Sequence, residues 1–131
     1  MVLLDTDLLI SFLRDNNEAV KMISKLLERH MILYTTSINA AELYFGAFLS
    51  SRIQDNMEAV ENLLNTIKII PFELVHSKIY GEIRSDLQKR GEIINEMDIF
   101  IATMAIEKDL SIITRNTKHF EKIMKLKVET W

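Results

Sequence analysis

The chain has no cysteine, one proline and three glycines among its 131 residues. Each of these shortages excludes some kinds of protein or site. Without cysteine, disulfide bridges and thiolate zinc sites are excluded. The longest apolar stretches, such as Ile99 to Ile106, fall short of the ~20 residues that span a bilayer. No basic segment precedes an apolar stretch near Met1, so we expect no signal peptide. We therefore expect a cytoplasmic protein without membrane contact.

The scarcity of glycine and proline also favours a helix-rich chain without long linkers. The sequence contains no internal repeat and no low-complexity segment. Its 48% hydrophobic and 27% charged residues are ordinary globular proportions, so disorder is not expected. At this length we expect a single domain over residues 1–131.

Short apolar runs alternate with segments of helical periodicity along the chain. Strands are predicted over residues 2–4, 31–34, 67–72, 111–114 and 127–130. Helices are predicted over residues 8–13, 18–30, 38–49, 55–66, 75–89, 95–108 and 118–124. Gly91 follows the fifth helix, in the terminal position that glycine favours. The alternation predicts an α/β fold whose short-stranded parallel sheet has helices on both faces.

Four acidic or amide residues lie far apart in the chain, each at a place where a carboxylate is locally awkward, namely Asp5, Glu42, Asp98 and Asn116. In a parallel α/β fold, such positions can meet at the carboxyl ends of neighbouring strands, where ligands bind. Carboxylates that pack together need a cation, because like charges oppose one another's ionisation. Oxygen donors suit Mg²⁺ or Mn²⁺ rather than zinc. A metal-dependent site for phosphoryl transfer is the leading hypothesis.

Two of the acids also have a purely structural interpretation. Asp5 can cap the first helix, although Thr6 and Asp7 can do the same. Asp98 stands three residues after Asn95, as in a capping box. Acids in the first turn also suit the helix dipole, so Asp98 alone decides nothing.

Glu42 is more telling, because a helix capped by Ser37 leaves it beyond the first turn. A buried carboxylate is costly unless it is paired or bound to metal. The structural alternative is that Glu42 lies at the margin of the apolar side of this helix and forms a salt bridge with a lysine or arginine. Asn116 alone is an ordinary turn residue. The stripe beside Glu42, which we expect to face the core, consists of Ile38, Phe45, Gly46 and Leu49.

The net charge of −3 is not that of a strong nucleic-acid binder, but basic residues are clustered. Such clusters are either solvated faces or a basic rim that contacts RNA transiently. Under the second interpretation, Arg115 and the lysines after it would contact the RNA backbone. The two clusters are Arg84, Lys89 and Arg90, and Arg115, Lys118, Lys122, Lys125 and Lys127.

Four segments together resemble the PIN domain, and within it the VapC-type toxins of toxin–antitoxin pairs. Leu3 to Asp7 is similar to the first motif of the family, and Ser37 to Ala47 is similar to the second. Asp98 to Ala105 resembles the third, and Thr114 to Phe120 resembles the fourth. The resemblance covers nearly the whole chain, with its motifs in the family's order.

The resemblance implies a PIN-like three-layer α/β/α fold and a metal-dependent endoribonuclease. Asp5, Glu42 and Asp98 would bind Mg²⁺ or Mn²⁺, and Glu42 would position or deprotonate the attacking water. Asn116 would complete the catalytic set, and Asn116 and Thr114 would support the metal-binding residues by hydrogen bonds. The family likeness also implies an RNA substrate, a homodimer and silencing by a VapB-like protein antitoxin.

The chain departs from the family at two places. The family usually has asparagine at Asp7, and it commonly has an acid at Asn116 or His119. The missing acid keeps open a catalytically weak or inactive PIN-fold binding module. A receiver-type signalling domain is a more distant alternative, because Asp55 is the only mid-chain candidate for its phosphate acceptor and opens a helix.

Overall fold

The computed structural model describes all 131 residues and places β1 at the centre of a five-stranded sheet. The strands are β1 (Val2–Leu4), β2 (Leu33–Thr36), β3 (Lys68–Ile70), β4 (Ser111–Ile113) and β5 (Lys127–Glu129). All pairs are parallel, in the order β3-β2-β1-β4-β5. Leu3 of β1 is in register with Tyr34 of β2 on one side and Ile112 of β4 on the other.

Seven helices cover the two faces of this sheet. They are α1 (Thr6–Leu13), α2 (Asn17–Glu28), α3 (Ser37–Leu49), α4 (Ile53–Leu64), α5 (Leu74–Lys89), α6 (Glu96–Glu107) and α7 (Thr117–Phe120). Buried side chains of α1 to α4 share one core, and those of α5 to α7 share the other. The predicted three-layer α/β/α architecture is therefore confirmed. None of the helices has the length and apolar composition to cross a bilayer.

The central strand β1 is apolar throughout because it is buried on both faces. Side chains alternate between the faces of a strand, so Val2 and Leu4 enter the core of α1 to α4. Leu3 enters the core of α5 to α7. All three are at most 3% exposed. A strand of this kind forms a continuous apolar run, which is why the sequence predicts it well.

The connections create a switch point between β1 and β4. From β1 the chain passes to β2 and then β3 on one side, and it returns to β4 on the other side of β1. Ligands bind at such points in open parallel sheets, outside the carboxyl ends of the strands. The backbone N–H of Asp5 donates to the Ile113 carbonyl at 3.1 Å, which joins the two strand ends.

Strand β2 begins two residues later than predicted, at Leu33 instead of residue 31. Met31 lies just beyond α2 and its N–H closes the end of that helix by donating to the Leu26 carbonyl, so it is not free to pair in the sheet. The β-branched Thr35 and Thr36, expected to stop the strand, lie inside it. The Thr35 hydroxyl donates to the Leu4 carbonyl at 2.9 Å, so it supports the neighbouring strand.

Helix α1 corrects another expectation. It begins at Thr6, so Thr6 and Asp7 lie in its first turn and neither is its N-cap. The N-cap is Asp5, whose side chain makes no capping hydrogen bond. The Asp5 carboxylate therefore has other partners.

The predicted core stripe of α3 is largely wrong. Phe45 is 67% exposed and Leu49 is 75% exposed, whereas Leu43 and Ala47 are buried. The helix carries apolar residues on both its buried and its exposed sides, so its periodicity does not identify the core face. Thr36 rather than Ser37 is its N-cap.

Gly91 confirms the predicted helix end and gives a stability test. Its φ is +69°, its N–H donates to the Gln88 carbonyl, and the Glu92 N–H donates to the Leu87 carbonyl. No atom would lie within 4 Å of an added Cβ at Gly91, so only the backbone conformation disfavours another residue.

We expect Gly91→Ala to lower the free energy of unfolding by about 1 kcal/mol, because alanine is strained in the left-handed region. Gly81 is the matched control, since it lies within α5 and an added Cβ there also meets nothing. Gly81→Ala should raise stability by about 0.5–1 kcal/mol. Urea denaturation measures both, and equal effects of the same sign would contradict this assignment.

Candidate active site

The four predicted site residues lie around the carboxyl ends of β1 and β4. Asp5 follows β1 and Asn116 follows β4, while Glu42 lies on α3 and Asp98 lies in the first turn of α6. Each of them contacts another residue of the same pocket through hydrogen bonds. The sequence expectation that these positions converge is therefore correct.

Asp5 is the most buried acid of the pocket, at 6% exposure. Its Oδ2 accepts a hydrogen bond from the Thr114 hydroxyl at 2.7 Å. Its Oδ1 accepts one from Asn39 Nδ2 at 3.2 Å. Both donors are neutral, so the carboxylate is oriented by them but its charge is not balanced.

Glu42 is half-buried and points toward the amino end of α1. Its Oε1 accepts a hydrogen bond from the Thr6 hydroxyl at 2.7 Å. Thr6 in turn accepts a hydrogen bond from Asn39 Nδ2 at 2.9 Å. No lysine or arginine nitrogen lies within 4.0 Å of Glu42, so the surface ion pair that was the alternative is absent.

Asp98 is not used to cap α6. Asn95 caps that helix by accepting from the Met97 N–H at 2.8 Å. The Asp98 Oδ2 instead lies 2.9 Å from His119 Nδ1 and accepts from Asn116 Nδ2 at 3.2 Å. The two fourth-motif residues that replace the family's acid thus orient an acid of the third motif.

Asp7, the extra acid of the first motif, is already engaged by other parts of the chain. Its Oδ2 accepts from the Arg115 backbone N–H at 2.7 Å and lies 3.3 Å from the Thr114 hydroxyl. Its Oδ1 accepts from the Trp131 indole at 3.4 Å. Asp7 therefore ties α1 to the turn after β4 and to residue 131.

Sequence reasoning missed Asn39, which is fully buried. Its side-chain oxygen accepts from the Thr36 N–H and hydroxyl, completing a capping box at the start of α3. Its nitrogen donates to Asp5 and Thr6. The Thr36-to-Asn39 spacing is a capping signal in the sequence, but the contact with Asp5 spans 34 positions and exists only in the fold.

Burial and repulsion by neighbouring acids raise the pKa of Asp5 and of Glu42. Burial, followed by the charges of Asp7 and Asp98, raises the pKa of Asp5 to about 7, against the opposing hydrogen bond from Thr114. Burial and then the charge of Asp98 raise the pKa of Glu42, while the hydrogen bond from Thr6 lowers it. Asp98 is therefore close enough to repel both other carboxylates.

Comparison with known proteins agrees with this geometry. The sequence model of the PIN domain matches residues 2–126. The chain belongs to the PIN domain family. Ribonuclease VapC2 of Haemophilus influenzae is 30% identical over 129 residues, which cover 98% of this chain and 96% of that protein. The tRNA(fMet)-specific endonuclease VapC of Shigella flexneri is 27% identical over 129 residues, with the same two coverages.

A solved structure extends the likeness to the whole PIN fold. VapBC2 from Rickettsia felis, bound to a DNA fragment from its promoter, superposes with a TM-score of 0.91 at 29% identity. The match covers 100% of this chain and 99% of that chain. The fold of this chain is thus that of a PIN domain.

The PIN pocket fits a divalent cation by its donor chemistry. Asp5, Glu42 and Asp98 offer carboxylate oxygens, the donors that Mg²⁺ and Mn²⁺ prefer. Among basic groups, only His119 touches any of the three. As the side chains stand, no three acidic or histidine groups converge tightly enough to enclose a cation. The residues suit the ion, and closing the pocket requires side-chain movement.

The Asp5 pKa predicts how the stability of the metal-free protein depends on pH. The ordinary pKa of 3.8 applies to the unfolded chain and about 7 to the folded one, so the folded state binds more protons between these values. This contribution to stability is present below about pH 4 and is lost as the pH rises through about 7. Asp5 alone should lower the free energy of unfolding by up to about 4 kcal/mol over that range.

We expect Asp5→Asn to remove this pH dependence. In EDTA, the free energy of unfolding of the variant should therefore rise relative to that of the wild type as the pH increases from about 5 to 8. Urea denaturation at several pH values measures the gain. Asp55→Asn is the control, because Asp55 is exposed and paired with Arg52. Parallel pH curves for Asp5→Asn and wild type would show that the Asp5 charge carries no such cost.

Proposed function

We propose that the chain is a metal-dependent endoribonuclease that hydrolyses RNA phosphodiester bonds and acts as the toxin of a toxin–antitoxin pair. The observation that carries the proposal is the acidic pocket at the switch point of the sheet. Asp98 lies there close enough to raise the pKa of both Asp5 and Glu42, and no lysine or arginine lies within 4.0 Å of the three acids. The names of the relatives, ribonuclease and tRNA(fMet)-specific endonuclease, support the same activity.

The three carboxylates would hold Mg²⁺ or Mn²⁺, which supplies Lewis acidity toward a phosphate oxygen and lowers the pKa of water. Glu42 is the candidate to position or deprotonate the attacking water, because it is less buried than Asp5 and its raised pKa makes it a stronger base than an ordinary carboxylate. The Thr6 hydroxyl fixes the Glu42 side chain by its hydrogen bond.

The remaining contacts orient the other two acids. Thr114 and Asn39 hold the two oxygens of Asp5 by separate hydrogen bonds. Asn116 and His119 hold one oxygen of Asp98. Once the carboxylates have closed on the cation, these hydrogen bonds would keep them in place while charge develops on the phosphate, and such preorganisation is usually the largest contribution to catalysis.

One observation favours a second candidate, a PIN-fold module that binds RNA without cutting it. Asn116 and His119 supply no carboxylate where the family commonly has one. Fewer negative charges weaken cation binding, so turnover would be low. The receiver-type alternative is excluded by the family assignment, and Asp55, its only candidate acceptor, lies in the exposed first turn of α4.

A protein partner is the second part of the proposal. The exposed side of α3 carries large apolar side chains, Phe45, Phe48 and Leu49, each more than 60% exposed. Contiguous apolar patches of this kind are typical of surfaces that bind proteins. A VapB-like antitoxin is the proposed partner, since the Rickettsia felis structure contains both VapB and VapC. Homodimer formation stays a prediction.

The central test is RNA cleavage with Mn²⁺, Mg²⁺ or EDTA. We expect cleavage only with metal, and a loss of at least about a hundredfold in Glu42→Gln and in the double variant Asp5→Asn/Asp98→Asn. Glu58→Gln is the matched control, because Glu58 is an exposed acid of α4. Metal-dependent cleavage that persists in the double variant would refute the proposed site.

If the folded wild type binds RNA and cuts none with either metal, the non-cutting module becomes the better description. Asn116→Asp then restores the family's acid. Cleavage by that variant would assign the lost activity to the fourth motif.

Asn39 provides a separate test of side-chain positioning. Asn39→Ala removes one half of the α3 capping box and the hydrogen bond to Asp5. Asn16→Ala removes the N-cap contact of α2 with the Ala19 N–H, away from the acids. Each variant should lose about 1 kcal/mol of stability, but only Asn39→Ala should reduce cleavage, by about tenfold or more. Equal rates of RNA cleavage by the two variants would show that Asn39 only caps α3 and does not position Asp5 for catalysis.

A further inference from the structure

Arg115 and Trp131 form a stacked pair beside the acidic pocket. The guanidinium carbon of Arg115 lies 3.7 Å from the centre of the Trp131 ring. This separation is that of close stacking, in which the planar guanidinium covers one face of the indole. Arg115 is exposed, whereas Trp131 packs partly against the core of α1 to α4. The guanidinium is thus the outer layer of the pair.

Several contacts fix this pair in one orientation. Arg115 Nε donates to the Trp131 carbonyl at 3.0 Å, and a terminal nitrogen forms an ion pair with Glu18. The Trp131 indole donates to Asp7, and so does the backbone N–H of Arg115. The stack is therefore held from both sides before any ligand binds, which lowers the entropy cost of binding there.

The stack adjoins the proposed catalytic residues through the backbone. Arg115 stands between Thr114, which donates to Asp5, and Asn116, which donates to Asp98. The Trp131 ring and the Arg115 backbone also both donate to Asp7, whose charge reaches Asp5, so the stack lies beside the pocket.

The contacts of Arg115 also indicate how it would meet a substrate. Two of its three side-chain nitrogens already have partners in the plane of the guanidinium, at Trp131 and Glu18. The Glu18 carboxylate also offsets the positive charge. The arginine is thus poorly placed to bind a phosphate by two hydrogen bonds. Its side chain is 43% exposed, so the guanidinium face that points away from Trp131 can contact a ligand.

We propose that the Arg115–Trp131 stack is a platform for one unpaired RNA base next to the scissile phosphate. Bases extruded from loops stack on arginine planes and on aromatic rings in proteins that bind single-stranded RNA. The inference rests on the proposed ribonuclease function and adds a substrate requirement to it: a base that is free to leave its own stack. It also replaces the expectation that Arg115 contacts the RNA backbone.

Arg115→Lys separates stacking from charge, because lysine keeps the charge and loses the plane. The probe is a fluorescein-labelled hairpin RNA, bound in EDTA so that it is not cut, and measured by fluorescence anisotropy. We expect affinity to fall by about tenfold, with the slope of log affinity against log salt unchanged. Arg29→Lys is the matched control, since Arg29 follows α2 and precedes β2, on the side of the strands' amino ends and away from the pocket.

A second set of RNAs, each with one loop base removed to leave an abasic site, identifies the stacked base. At one position, base removal and Arg115→Lys should each weaken binding, and the two together should weaken it no further than either alone. The emission of Trp131, the only tryptophan, should change when the intact hairpin binds and much less with that abasic RNA.

The proposal would be wrong if base removal and Arg115→Lys weakened RNA binding additively at every loop position. It would also be wrong if Arg115→Lys lowered the slope of log affinity against log salt. Neither result would contradict the proposed ribonuclease function if the wild type still cleaved RNA with metal. Absence of any RNA binding by the folded wild type would overturn both. Circular dichroism and thermal melts of Arg115→Lys show whether a loss of affinity reflects unfolding.

Discussion

The site depends on one buried carboxylate at the end of the central strand. Asp5 follows β1, the central strand, whose two faces are covered by helices. Its side chain lies at the carboxyl end of that strand and is almost fully buried. The hydrogen bonds from Thr114 and Asn39 join β4 and α3 to this single group. The topology brings three distant parts of the sequence together at this side chain, and their donors satisfy a carboxylate that has little access to water.

The same carboxylate makes the metal-free fold less stable than its packing allows. Neutral donors orient Asp5 without balancing its charge, and Asp7 and Asp98 repel it. A protein selected only for stability would place a neutral residue there, as stability and function commonly conflict at active sites. A cation at the pocket would relieve this repulsion, so metal affinity and folding stability are linked through Asp5.

The sequence predicts those features that depend on short-range patterns. The apolar run of β1, the left-handed Gly91 and the positions of the acids at strand and helix ends all follow from local rules. It does not predict the buried face of α3, because Phe45 and Leu49 have the same apolar character as core residues. Nor does it predict the role of Asn39, whose partner lies 34 positions away. Such contacts follow from topology, which a single sequence only suggests.

The departures from the family pattern do not compensate for one another. Asp7 adds an acid to the first motif, but its two oxygens are engaged by Arg115 and Trp131. Asn116 and His119 remove an acid from the fourth motif and instead orient Asp98. In the proposed site the charge available to a cation would come from three carboxylates, and how firmly their neutral neighbours hold them would decide how strongly the cation binds.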